Sequence, residues 1–99
     1  MIDSTKYITG AVVLSVAGRD KGGYFLIVKV IDDGFVLVAD GDTHKLERPK
    51  KKRMKHLKPN GDVIGKLAEK LQDKKPVFDA EIRSNLKQYN KMEVDNAKG

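Results

Sequence analysis

The run Tyr24-Phe25-Leu26-Ile27-Val28-Lys29-Val30-Ile31 and the run Phe35-Val36-Leu37-Val38-Ala39, separated by Asp32-Asp33-Gly34, constrain this chain more than any other feature. Both are rich in β-branched and aromatic residues, which pack well on a pleated surface and lose rotamer freedom in a helix. An Asx-Gly pair between two such runs provides the backbone a hairpin turn needs, so the segments are expected to pair as antiparallel strands. The first run is apolar almost without a break, the pattern of a strand covered on both faces. Ala11-Val12-Val13-Leu14-Ser15-Val16 is a third β-like segment. Its Val12, Leu14 and Val16 stand two apart and are expected to face the core together.

Two further short extended pieces are expected at 45–48 and 54–57, because Pro49 and Pro59 hold their preceding residues out of the helical region. Short strands spaced this closely by tight turns predict a small, closed or partly closed β-barrel. After Pro59-Asn60-Gly61 the pattern changes, and Val63, Ile64, Leu67, Ala68 and Leu71 recur at helical spacing. The spacing predicts a helix over 62–73, capped by Asn60 or Asp62. Pro76 interrupts it, and Asp79 is placed to cap a second helix with Ile82, Leu86 and Tyr89 on one face. Helices of such length need a surface to pack on, either the barrel or a partner. The expected organisation is therefore a barrel with a basic strand over 5–59, a helical extension over 60–90 and a flexible tail over 91–99.

Charge is concentrated in one place. The chain carries a formal net charge of +6, yet Lys45 to Lys58 alone hold eight basic residues and one acidic residue. Cations crowded this closely repel one another unless counterions or phosphates neutralise them, so the stretch reads as a surface for a polyanion. At 99 residues the chain buries one modest core and has little room for a deep catalytic cavity. The absence of cysteine excludes disulfides, thiol catalysis, iron–sulfur clusters and cysteine-based zinc sites. No nucleophile elbow, phosphate loop or acidic pair in an apolar setting occurs, so no enzyme activity and no cofactor are expected. Asp40, Asp42 and His44 alternate, but no further ligand set accompanies them and no metal is expected. Met1 to Lys6 lack the apolar core of a signal peptide, and no stretch reaches a membrane span, so the expected location is cytoplasmic.

Gly10-Ala11-Val12-Val13-Leu14-Ser15-Val16 followed by Ala17-Gly18-Arg19-Asp20-Lys21-Gly22 resembles a KOW motif, with Lys21 and Gly22 at the motif's basic residue and turn glycine. Phe25 stands where many KOW motifs have a second glycine, which points to a subfamily. Ser15 to Asp20, Tyr24-Phe25, Val36 to Gly41 and Lys50-Lys51-Lys52 resemble the large-subunit ribosomal protein fourteen of archaea and eukaryotes, and its short bacterial KOW-domain relatives. The similarity covers about residues 8–60. It implies an SH3-like barrel that binds ribosomal RNA of the large subunit, with two short α-helices appended.

The RNA-binding candidates are accordingly Arg19, Lys21 and Gly22 in the loop, and Lys45, Arg48, Lys50, Lys51, Lys52, Arg53, Lys55 and Lys58 in the basic stretch. Two glycines let a loop backbone approach phosphate, while Arg and Lys supply donors that suit phosphates better than base edges. Alternation in an extended chain would turn Lys51, Arg53 and Lys55 one way and Lys50, Lys52 and Met54 the other. Asp20 is an odd neighbour for phosphate, expected to fix the loop through backbone N–H groups or to orient Arg19. Tyr24 is a candidate for base stacking, and His56 is either a stacking group or an ordinary strand residue. The protein is expected to be a ribosome-associated monomer, with its helices bracing the barrel or meeting a neighbouring ribosomal protein. The alternative is an SH3-like adaptor that binds protein through the barrel groove or the Ile82/Leu86/Tyr89 face and has no direct RNA role.

Overall fold

The computed structural model describes residues 3–32 and 34–98, with side chains described through Asn90. Five strands, β1 (Ala11–Ser15), β2 (Tyr24–Asp32), β3 (Phe35–Ala39), β4 (Lys50–Arg53) and β5 (Leu57–Val63), form one antiparallel sheet in the order β4-β3-β2-β1-β5. Two helices follow, α1 (Gly65–Gln72) and α2 (Asp79–Lys98). The chain is thus mainly β with C-terminal helices. The sheet is not closed by hydrogen bonds, because its edge strands β4 and β5 are linked by a one-turn 3₁₀ helix, Met54–His56, and do not pair with each other.

The hairpin signal holds: β2 and β3 pair around Gly34, with Val30 opposite Val36 and Leu26 opposite Ala39. The sheet is covered on both faces. Ala11, Val13, Phe25, Ile27, Val36, Val38, Met54 and Leu57 make an inner core, to which Tyr7 adds its ring and donates its hydroxyl to the Leu57 carbonyl at 2.8 Å. Burial pushes the Tyr7 phenol up from its ordinary pKa. Val12, Leu26 and Ala39 point to the opposite face and pack under Leu67, Ile82 and Leu86 of the helices. The expected shared facing of Val12, Leu14 and Val16 is corrected at its last member, which lies beyond the strand. Val12 lies under the helices and Val13 in the inner core, while Val16, just past the strand, is 40% exposed.

Residues 45–48 form turns, not a strand, and the basic residues Lys50–Arg53 are themselves β4. Pairing along β3 and the burial of Lys52 and Met54 prevail over the poor strand propensity of lysine. The piece expected at 54–57 is the 3₁₀ turn leading into β5. Pro59-Asn60-Gly61-Asp62 is not a domain boundary either. Its turn chemistry forms a bulge within β5, where Val13 pairs with Pro59 but Ala11 pairs with Val63. Gly61 takes φ +92° there, and the Asn60 side chain accepts from the Asp62 N–H at 2.9 Å. The boundary at 59/60 therefore falls inside a strand, and neither Asn60 nor Asp62 caps α1, whose N-cap residue is Ile64.

The helices also hold a loop in place. A Cβ on Gly41, at φ +79°, would meet the Asp79 carbonyl oxygen, so the β3–β4 loop lies directly on the first turn of α2. Asp79 accepts from the Leu46 N–H at 2.8 Å, and Arg83 donates to the Gly41 carbonyl at 2.8 Å. Backbone helix extends to Lys98 through the segment expected as a flexible tail, and the side chains of residues 91–99 lie outside those described. At the end of α1, Lys74 occupies the left-handed region at φ 57°, with Lys75 N–H bonded to the Lys70 carbonyl at 2.8 Å. That is a helix terminus suited to glycine, so Lys74→Gly is expected to raise stability by about 0.5–1 kcal/mol, the relief of backbone strain exceeding the added chain entropy. Chemical denaturation checks it, and a lower midpoint would contradict it.

Candidate nucleic-acid interface

β4 is an edge strand antiparallel to β3, with Arg53 opposite Phe35, Lys52 opposite Val36, Lys51 opposite Leu37 and Lys50 opposite Val38. Alternation along a strand separates these side chains into two sets. Lys51 and Arg53 lie over the Phe35 ring, Nζ and Cζ at 4.7 and 5.1 Å from its centroid, and both residues remain exposed. Such cation–ring contacts, worth about 0.5–1 kcal/mol at exposed sites, restrain the two side chains without removing their charged ends from solvent. Phe35 shares the face of β3 that buries Ala39 beneath the helices, so that face is capped at one end and carries cations at the other.

Lys52 goes the other way. Its residue is 8% exposed, and its ammonium lies 3.5 Å from the Asp20 carboxylate and donates to the Ser15 hydroxyl at 3.3 Å. It belongs to an internal ion pair, which corrects its place among the RNA contacts. Met54 is buried on the same side, as alternation expects, whereas Lys50 is exposed.

Asp20 does what the sequence did not indicate. It pairs with Lys52 and lies 3.2 Å from His44 Nε2, and no side-chain bond to Arg19 or to a backbone N–H is present among the described residues. His44 rests its ring 5.7 Å from that of Phe25. Asp40 closes its own turn, accepting from the N–H groups of Asp42 and His44 at 2.9 and 2.8 Å. The alternating Asp40, Asp42 and His44 thus do not converge. Among the described residues no group of three or more potential ligands is placed to hold a metal ion.

The β1–β2 loop is shaped by its glycines. Gly22 N–H donates to the Ser15 carbonyl at 2.8 Å and Gly23 O accepts from Ser15 N–H at 2.9 Å, so two loop residues face one strand residue in a bulge. Gly22 holds φ +95° with open space where a Cβ would stand, and Arg19, Lys21 and Gly22 are all exposed. Gly22→Val is expected to destabilise the fold by about 1–2 kcal/mol through backbone strain alone, and to weaken nucleic-acid binding in protein that remains folded. Equal stability and affinity in the variant would make Gly22 a spacer.

Lys45, Arg48, Lys50, Lys51, Arg53, Lys55 and Lys58 are exposed. Among the described residues none of these seven, nor Arg19 or Lys21, has a carboxylate within ion-pair distance. Lys45, Arg48 and Lys50 line an open groove of about 730 Å³ beside His44, which Asp42 and Glu47 also enter. Tyr24 is not a free stacking group. Its ring sits 5.4 Å from that of Tyr89, and its N–H donates to the Asn90 side chain at 3.2 Å. His56 lies half-buried in the 3₁₀ turn, where its carbonyl accepts from Val16 N–H at 2.9 Å. The helix face offered by Ile82 and Leu86 is fully occupied by the sheet. Sequence reasoning missed Phe35 and the Asp20–Lys52–His44 cluster, both of which depend on the β3–β4 register. No helix among the described residues is long and apolar enough to cross a membrane. No protein-family model matches the chain.

Proposed function

We propose that this chain is an RNA-binding protein of or on the ribosome, its barrel placing Arg19, Lys21 and the exposed cations of residues 45–58 on RNA phosphates. The observation that carries this reading is that seven of the eight cations between Lys45 and Lys58 are exposed without an acidic partner among the described residues, while the eighth is withdrawn into an internal pair. A surface kept this positive is unfavourable for the isolated fold and favourable when phosphates replace condensed counterions. Five short antiparallel strands around an inner core accord with the SH3-like KOW barrel that the resemblance implies, and ribosomal RNA of the large subunit is its implied target. The exposed donors suit phosphate and sugar, so binding follows backbone shape more than base identity. Against the helix-face form of the adaptor alternative, Ile82 and Leu86 are buried on the sheet.

Sedimentation of a lysate tests the proposal. The protein is expected in the large-subunit fraction at low salt and to leave it as salt is raised. Its presence at the top of the gradient at every salt concentration, with ribosomes intact, would contradict it.

A further inference from the structure

We propose that Asp20 is the positioning residue of this interface, holding the β1–β2 loop, the β3–β4 loop and β4 together so that their cations form one surface. The inference rests on the RNA-binding reading above. Three segments meet at one carboxylate: Asp20 lies 3.2 Å from His44 Nε2 and 3.5 Å from Lys52 Nζ, and Lys52 also reaches Ser15 at the end of β1. Each member of the cluster is adjacent in sequence to an exposed cation. Asp20 stands between Arg19 and Lys21, His44 precedes Lys45, and Lys52 stands between Lys51 and Arg53. The side chains of Asp20 and His44 are both 21% exposed, so the contact is partly shielded from screening by salt.

Electrostatics alone predicts the opposite role. A carboxylate among phosphate-binding cations repels RNA, and its removal would raise the net charge by one from +6 and strengthen binding. Positioning predicts weaker binding despite the added positive charge, because loops released from the tether must be ordered when RNA binds. Ordering one further loop residue on binding is an effect of about tenfold in affinity. Two roles with opposite signs make the proposal decidable.

The test uses Asp20→Asn, Lys52→Met and the double variant in the full chain. It measures affinity for an extracted ribosomal RNA across a salt series, and amide hydrogen exchange of residues 17–23 and 42–48 without RNA. Asp20→Asn is expected to bind about tenfold more weakly with no steeper salt dependence, and to speed exchange in both loops. Lys52→Met is expected to weaken binding with an unchanged salt slope, since Lys52 touches no phosphate, and the double variant to be no worse than either single change. Tighter binding with a steeper slope in Asp20→Asn would make the carboxylate a mere repulsive charge and overturn the proposal, as would unchanged loop exchange. Should Asp20→Asn not fold, Lys52→Met decides the same question through its slope and the exchange of the β1–β2 loop. Failure of the parent protein to bind RNA would instead remove the functional reading, while exchange in the free variants still decides whether Asp20 tethers the loops.

Discussion

A chain ended after Ile64, retaining all five strands and losing both helices, is expected not to fold. The helices are one wall of the second core: Leu67, Ile82 and Leu86 are 0–1% exposed and cover Val12, Leu26 and Ala39 on the sheet. Burial of a large apolar side chain contributes about 1.5–3 kcal/mol, so three such residues account for about 5–9 kcal/mol before the newly exposed sheet face is considered. Whole domains are stable by about 5–15 kcal/mol, so the loss is comparable to the total. Truncation also removes Asp79 and Arg83 from the β3–β4 loop. The sequence alone suggests a helical extension that braces the barrel or meets a neighbouring protein; a cooperative unfolding transition in the truncated chain would show that the sheet does not need it.

Replacing Lys50, Lys51, Arg53 and Lys55 together by alanine is expected to flatten the log–log dependence of RNA affinity on salt by roughly 3 units, at about 0.7–0.9 for each phosphate no longer neutralised. Lys52 is left in place because its ammonium is committed to Asp20 and Ser15. All four replaced residues are exposed, and within the protein the change gives up the stacking of Lys51 and Arg53 on Phe35. Stability should therefore fall by no more than about 1–2 kcal/mol, and the variant should remain folded. An unchanged slope in the folded variant would show that these side chains do not meet phosphate.

What was legible in the sequence was local. β1, β2 and β3 follow from β-branched runs between glycine turns, and the Ile82/Leu86 face follows from helical spacing. A Lys-Lys-Lys-Arg segment has no apolar alternation to announce β4, whose pairing along β3 is a tertiary contact. β5 was hidden because Asn60-Gly61 carries turn chemistry that the fold uses for a bulge. The period-two pattern of β1 places Val12 toward a core, but it does not show that Val13 serves a second core on the other face or that Val16 falls past the end of the strand. In the site, the exposed cations were readable from charge density alone. Asp20 was not, because its partner His44 lies 24 residues away and Lys52 farther still, and no local pattern encodes those meetings.

Binding of RNA phosphates by this surface is read from the affinity of the intact protein for ribosomal RNA measured across a salt series. Six to eight phosphate contacts among the nine exposed cations of the interface would give a log–log slope of about −4 to −7. A slope near zero, or no binding even at low salt, would contradict the account.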